Sequence, residues 1–174
     1  MTDKKVIIGI CSYAGSDTLR IVEAIQRMLL HYSIVARICS AKEFSSKKIK
    51  ETILGYTSSV AIVYSITSLR KIEALKKQLK NQTFETIGIE VPREDCFKAL
   101  IKTGRVGKRE TQIKWYAKFD KDPTQIAMRK CFDMLEAQGL VFKCDDGSFN
   151  ERVGQIVDYL SRDLLRSYIS SAVA

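Results

Sequence analysis

Val6-Ile7-Ile8-Gly9-Ile10-Cys11, followed by Ser12-Tyr13-Ala14-Gly15-Ser16-Asp17-Thr18 and then by an amphipathic run to Leu30, is the stretch whose reading decides the fold. Val6 to Cys11 is continuously apolar and β-branched, which suits a central parallel strand covered on both faces. The seven residues after it are small or polar and include Gly15, so they read as a turn. Leu19, Val22, Ile25 and Leu29 then recur at helical spacing, with Ile21 and Met28 widening the stripe and Asp17 placed to cap the helix. The unit is strand, turn, helix.

The same alternation continues outward. Ser33 to Cys39 and Ser59 to Tyr64 read as second and third strands, and Thr83 to Val91 contains a fourth, closed by Pro92. Between them lie a lysine-rich helix from Ser45-Ser46 to Leu54, with Gly55 as its stop, and a helix capped by Ser68 with Leu69, Ile72, Leu75 and Leu79 inward. Strands separated by helices need crossover connections, which gives an α/β fold: a mostly parallel sheet with helices on both faces. Residues 93–140 are helical and basic, interrupted by Gly104, Gly107 and Asp122-Pro123. Leu140 to Cys144 supplies a fifth short strand, Asp145-Asp146-Gly147-Ser148 a turn, and the chain from Asn150 a closing helix. A single domain over residues 1–174 is expected, with 93–130 as a lid-like segment.

At 174 residues, 45% hydrophobic and 28% charged, the chain has ordinary globular composition and the length to bury a core. No apolar run approaches the roughly 18–20 residues that cross a bilayer. The N-terminus does not read as a secretory leader. Five scattered cysteines without a C-x-x-C pair, and the lone His31, argue against a zinc site and for buried free thiols in a reducing, cytoplasmic setting. No metal ligands are expected. A net charge of +9 favours anionic partners, although a solvated lysine-rich surface gives the same composition.

The turn after the first strand carries the chemistry. A phosphate-binding loop, G-x-x-x-x-G-K-[ST], uses glycines for close backbone approach, a lysine for the β and γ oxygens and a hydroxyl for magnesium. Gly15, Ser16, Asp17 and Thr18 occupy the end of such a loop, and Ser16 stands at the lysine position. Backbone N–H groups at the helix start would still hold an anion there. A strand-to-helix turn that binds nothing is the competing reading.

On these residues the chain resembles the P-loop small-molecule kinases, in particular the deoxynucleoside monophosphate kinases and their phosphomevalonate kinase relatives. Their loop ends G-K-D-T where this chain has Gly15-Ser16-Asp17-Thr18. Their third strand leads into a D-x-R element and an acid; here Ser68, Arg70 and Glu73 follow the strand, with serine at the aspartate position. Their basic lid is matched by the segment after Pro92, where Arg105, Lys108 and Arg109 fall at the phosphate-contacting positions. The resemblance implies a P-loop kinase-like parallel five-stranded sheet. It implies Gly15, Ser16, Asp17, Thr18, Arg105, Lys108 and Arg109 on a nucleotide, and Ser68, Arg70 and Glu73 on a second substrate. In an active enzyme it implies ATP with magnesium, and Arg70 and Arg105 as catalytic cations.

The two serine departures remove charge that phosphoryl transfer needs. The expectation is therefore a degenerate kinase-like protein. It would bind a nucleotide-like anion, or an acidic protein or nucleic acid through the lid. An active deoxynucleoside monophosphate kinase is the first alternative. A flavodoxin-like flavin protein is the second, because the hydroxyl-rich turn also resembles that phosphate loop, which has no lysine. Trp115 and Tyr116 are read as packing anchors for the lid helices, with base stacking as the competing role.

Overall fold

The computed structural model describes residues 4–13, 16, 18–107, 109 and 111–166. Five strands, β1 (Val6–Cys11), β2 (Ala36–Ser40), β3 (Val60–Ile66), β4 (Thr83–Glu90) and β5 (Val141–Lys143), form one sheet in the order β2-β3-β1-β4-β5. Every pairing is parallel. The expected α/β architecture, a parallel five-stranded sheet with helices on both faces, is therefore the observed one. The order also corrects one expectation. A flavodoxin-like sheet runs 2-1-3-4-5, whereas here β3 lies between β2 and β1. The flavin alternative, drawn from the hydroxyl-rich turn alone, does not hold.

Alternation along β1 explains the layers. Val6, Ile8 and Ile10 point to one face, where they meet Val22, Ile25 and Leu29 of α1 (Leu19–Leu29) and Val153, Ile156 and Val157 of α7 (Phe149–Tyr159). Ile7 and Cys11 point to the other face. There they meet α2 (Ser46–Leu54), α3 (Leu69–Gln78) and α6 (Pro123–Ala137) through Ile49, Ile53, Leu75, Met128 and Phe132. All six residues of β1 are buried, as a central strand requires. The residues between β4 and α6 form α4 (Arg93–Lys102) and α5 (Gln112–Lys121), in the segment read as a lid.

Local signals hold at several ends. Ser45 and Ser68 each cap their helix by accepting from the backbone N–H three residues on, and Gly55 ends α2. The second strand starts later than expected. A short 3-10 turn, Leu30–Tyr32, prolongs α1, and Ser33 takes a left-handed conformation, so regular pairing begins only at Ala36. Helix α1 has Thr18 at its N-cap position; the expected cap, Asp17, lies outside the described residues. All five cysteines are buried free thiols. Among the described residues no helix is long and apolar enough to cross a membrane.

Candidate functional site

The winding of the sheet fixes where a site can form. The helix after β1 packs on one face, whereas those after its neighbours β3 and β4 include α3 and α6 on the opposite face. Chain segments therefore part on both sides of the carboxyl end of β1, opening crevices where α/β proteins hold ligands. A cavity is found at each. One, of about 470 Å³, lies on the β3 side; the other, of about 440 Å³, lies on the β4 side.

The β3-side cavity brings the turn after β1 together with α4. Ser16 and Thr18 line it, facing Ala99, Leu100 and Arg105 from α4 and the turn after it. Thr18 is 1% exposed, and among the described residues its Oγ1 is buried without a hydrogen-bond partner and no side chain caps α1. A helix N-terminus carries partial positive charge and free N–H donors. A buried unpaired hydroxyl beside it is a polar group that a ligand would satisfy.

Ser16, at the lysine position, is turned elsewhere. Its N–H donates to the Tyr13 carbonyl at 3.1 Å, and its hydroxyl lies 3.5 Å from the Cys96 thiol on α4. Burial pushes the Cys96 thiol up, so at neutral pH Ser16 faces an uncharged partner. The cations on this cavity are Lys42 and Arg105, both exposed.

The other expected site residues are placed differently. The Ser68 hydroxyl accepts from the Lys71 N–H at 3.2 Å as a helix cap. Arg70 and Glu73 are exposed on α3, and Arg109 is exposed in the turn before α5; none of the three lines either cavity. Gly15, Asp17 and Lys108 lie outside the described residues. Missing from the sequence-based set are Ser40, Lys42, Glu43, Tyr64, Ser65 and Thr67, all at the carboxyl ends of β2 and β3. Ser65 could not be found from pattern, because it looks like the end of a plain apolar strand. It sits in a bulge: Gly9 pairs with Val63 but Cys11 with Ile66, and Ser65 has a φ of 58°.

The β4-side cavity is walled by Tyr13, Phe119 and several charges, among them Arg93, Arg129, Lys143 and Arg152. Part of the lid's charge is paired within the chain. Arg93 donates to Asp120 at 2.7 Å, Arg129 approaches the same carboxylate at 3.9 Å, and the Arg93 guanidinium lies 4.3 Å over the Tyr116 ring. Trp115 packs against Phe97 and Phe119 at 5.5 and 5.1 Å between centroids, and Phe119 meets Tyr13 at 5.8 Å. The aromatic pair thus acts as a packing anchor that joins α4 and α5 to the loop.

Among the described residues no three acids, histidines or cysteines gather as a metal-binding group.

No family model matches the chain, and no curated protein matches it. Solved structures do. Mycobacterium tuberculosis APS kinase CysC, in complex with AMPPNP and APS, is similar at 14% identity and a TM-score of 0.43, over 76% of this chain and 98% of that one. A de novo designed protein of P-loop NTPase fold is similar at 10% identity and a TM-score of 0.31, over 77% and 93%. A second designed P-loop protein, at 16% identity, has a TM-score of 0.36 over 76% and 92%.

Proposed function

We propose that this chain is a kinase-like protein that binds a phosphate-bearing small molecule in the β3-side cavity and does not transfer the phosphoryl group. The observation that carries the reading is Thr18: a buried hydroxyl with no partner among the described residues, at a helix N-terminus that none of their side chains caps, in a residue lining a cavity that also holds Arg105 and Lys42. A phosphate there would accept from the Thr18 hydroxyl and the first-turn N–H groups, with the exposed cations closing over it.

Loss of transfer follows from what stands at the lysine position. Phosphoryl transfer relies on positioned charge rather than covalent help, and one missing donor costs on the order of 10²–10³ in rate. Ser16 supplies no charge, and neither does Cys96 beside it. Ser68, at the position of the expected acid, serves as a helix cap.

Calorimetric titration with pyrophosphate and ADP tests binding, with saturable heat expected. Incubation with ATP, magnesium and a panel of deoxynucleoside monophosphates tests transfer, with no product expected. The active-kinase alternative rests on Arg105, the cation on this cavity that could replace the lysine. Turnover that disappears in Arg105→Ala would establish that alternative and overturn the non-transfer reading. Binding of nucleic acid or an acidic protein through the basic segment is a further reading with less support. Arg93 and Arg129 already share Asp120, and Trp115 is packed among rings. Affinity for single-stranded DNA that rises steeply as salt is lowered would restore it.

A further inference from the structure

We infer that the ligand of the β3-side cavity is a phosphorylated polyol, such as a sugar phosphate, rather than a nucleotide; this rests on the phosphate reading above and names its ligand class. Besides Ser16 and Thr18, the cavity lining carries further hydroxyls. Tyr64, Ser65 and Thr67 follow one another along the end of β3, line the cavity, and make no side-chain hydrogen bond among the described residues. Each hydroxyl is both a donor and an acceptor. A row of them matches a ligand that carries the same groups.

Ser65 strengthens the case. Its φ of 58° falls in the left-handed region, where glycine is the unstrained choice. The bulge that imposes this conformation lies directly beside the loop strand, between the Gly9–Val63 and Cys11–Ile66 pairings. Strained residues of this kind gather at functional sites because the side chain has to be there. Here such a residue lines the cavity.

Charge separates the two ends. Glu43 and Lys42 are neighbours on the rim near β2, while Arg105 comes from the lid side. A carboxylate repels a bare anion but accepts hydrogen bonds from ligand hydroxyls. A nucleobase, by contrast, asks for a flat apolar slot or a stacking ring. Apart from Tyr64, the cavity's carbon lining is Leu19, Ala99 and Leu100. The volume of about 470 Å³ accommodates a hexose phosphate with ordered water.

Calorimetric titration of the full chain decides the matter, using glucose 6-phosphate, ribose 5-phosphate, dTMP, glucose and pyrophosphate as separate probes. The better of the two sugar phosphates is expected to bind at least tenfold more tightly than dTMP, and glucose alone at least a hundredfold more weakly than that sugar phosphate. Ser65→Gly tolerates the left-handed conformation and removes the hydroxymethyl group. It and Glu43→Gln should each weaken the sugar phosphate about threefold to tenfold while leaving pyrophosphate within twofold. Binding of dTMP as tight as either sugar phosphate, or indifference of the sugar phosphates to both substitutions, would overturn the ligand class while pyrophosphate binding survives. If pyrophosphate itself gives no heat, the phosphate reading falls and this inference with it.

Discussion

Thr18 and Ser16 stand two residues apart, and the proposed function gives the first to phosphate binding and the second to the loss of transfer. Thr18→Val removes a hydroxyl that has no partner among the described residues and keeps the branched shape. The melting temperature should hold or rise, since a buried unsatisfied polar group is lost. Phosphate affinity should fall roughly tenfold, the worth of one hydrogen bond of about 1.5 kcal/mol to a charged group. Both are read from a thermal melt and a titration on one sample. Ser16→Lys restores the missing cation, and ADP affinity should rise roughly tenfold at low salt; an unchanged affinity would place the phosphates elsewhere. The loop was legible because its small residues sit between an apolar strand and a helical stripe. The direction of the Ser16 hydroxyl was not, because Cys96, its neighbour in space, lies 80 residues away in the chain. Ser65 was hidden for a similar reason: its φ is set by the register of β3 against β1, which no local pattern encodes.

The elements that carry the site have their own tests. Ser68 was expected on substrate from the family resemblance, but its hydroxyl caps α3. Ser68→Ala should cost about 0.5–2 kcal/mol of stability in denaturant unfolding, the usual worth of a cap, and leave pyrophosphate affinity unchanged. Gly88 on β4 is a different constraint. A Cβ there would lie 2.8 Å from the Phe132 ring, which stacks on Tyr13 of the loop at 4.7 Å between centroids. Gly88→Ala should destabilise by roughly 1–3 kcal/mol through overpacking and, by displacing Phe132, loosen the loop. Ahead of α7, the Asp145 carboxylate accepts from the Ser148 hydroxyl and N–H, both at 2.8 Å, and these bonds hold its pKa below the ordinary carboxylate value. A depressed pKa gives stability that is present above the unfolded value, about 3.9, and is lost as pH falls through the folded one. In Asp145→Asn, acid unfolding monitored by circular dichroism should show a shallower pH dependence in that window. At this scale the serine caps and the stop at Gly55 were readable from residue type. The start of β2 was not, because the left-handed turn at Ser33 answers to packing of the chain after α1.

Across the molecule, alternation of apolar strands and helices was enough to give a parallel sheet with two covered faces, because crossover connections leave little choice. Strand order was not available from alternation, and order is what separates this sheet from a flavodoxin-like one. It also makes both flanks of β1 into crevices, so the two cavities are consequences of topology rather than of any motif. The charge of +9 is equally the mark of anionic partners and of a solvated basic surface, and composition locates no patch. In the folded chain, Arg93 and Arg129 pair with Asp120 at the surface, and Arg105 and Lys42 line the β3-side cavity. Titration of pyrophosphate into the full chain and into Thr18→Val, at matched low salt, puts the phosphate site to the test most directly. Saturable binding that weakens roughly tenfold in the variant, with the melting temperature held or raised, is the predicted result. No heat in the wild-type chain, or equal affinity in both, would contradict a phosphate site at the head of α1.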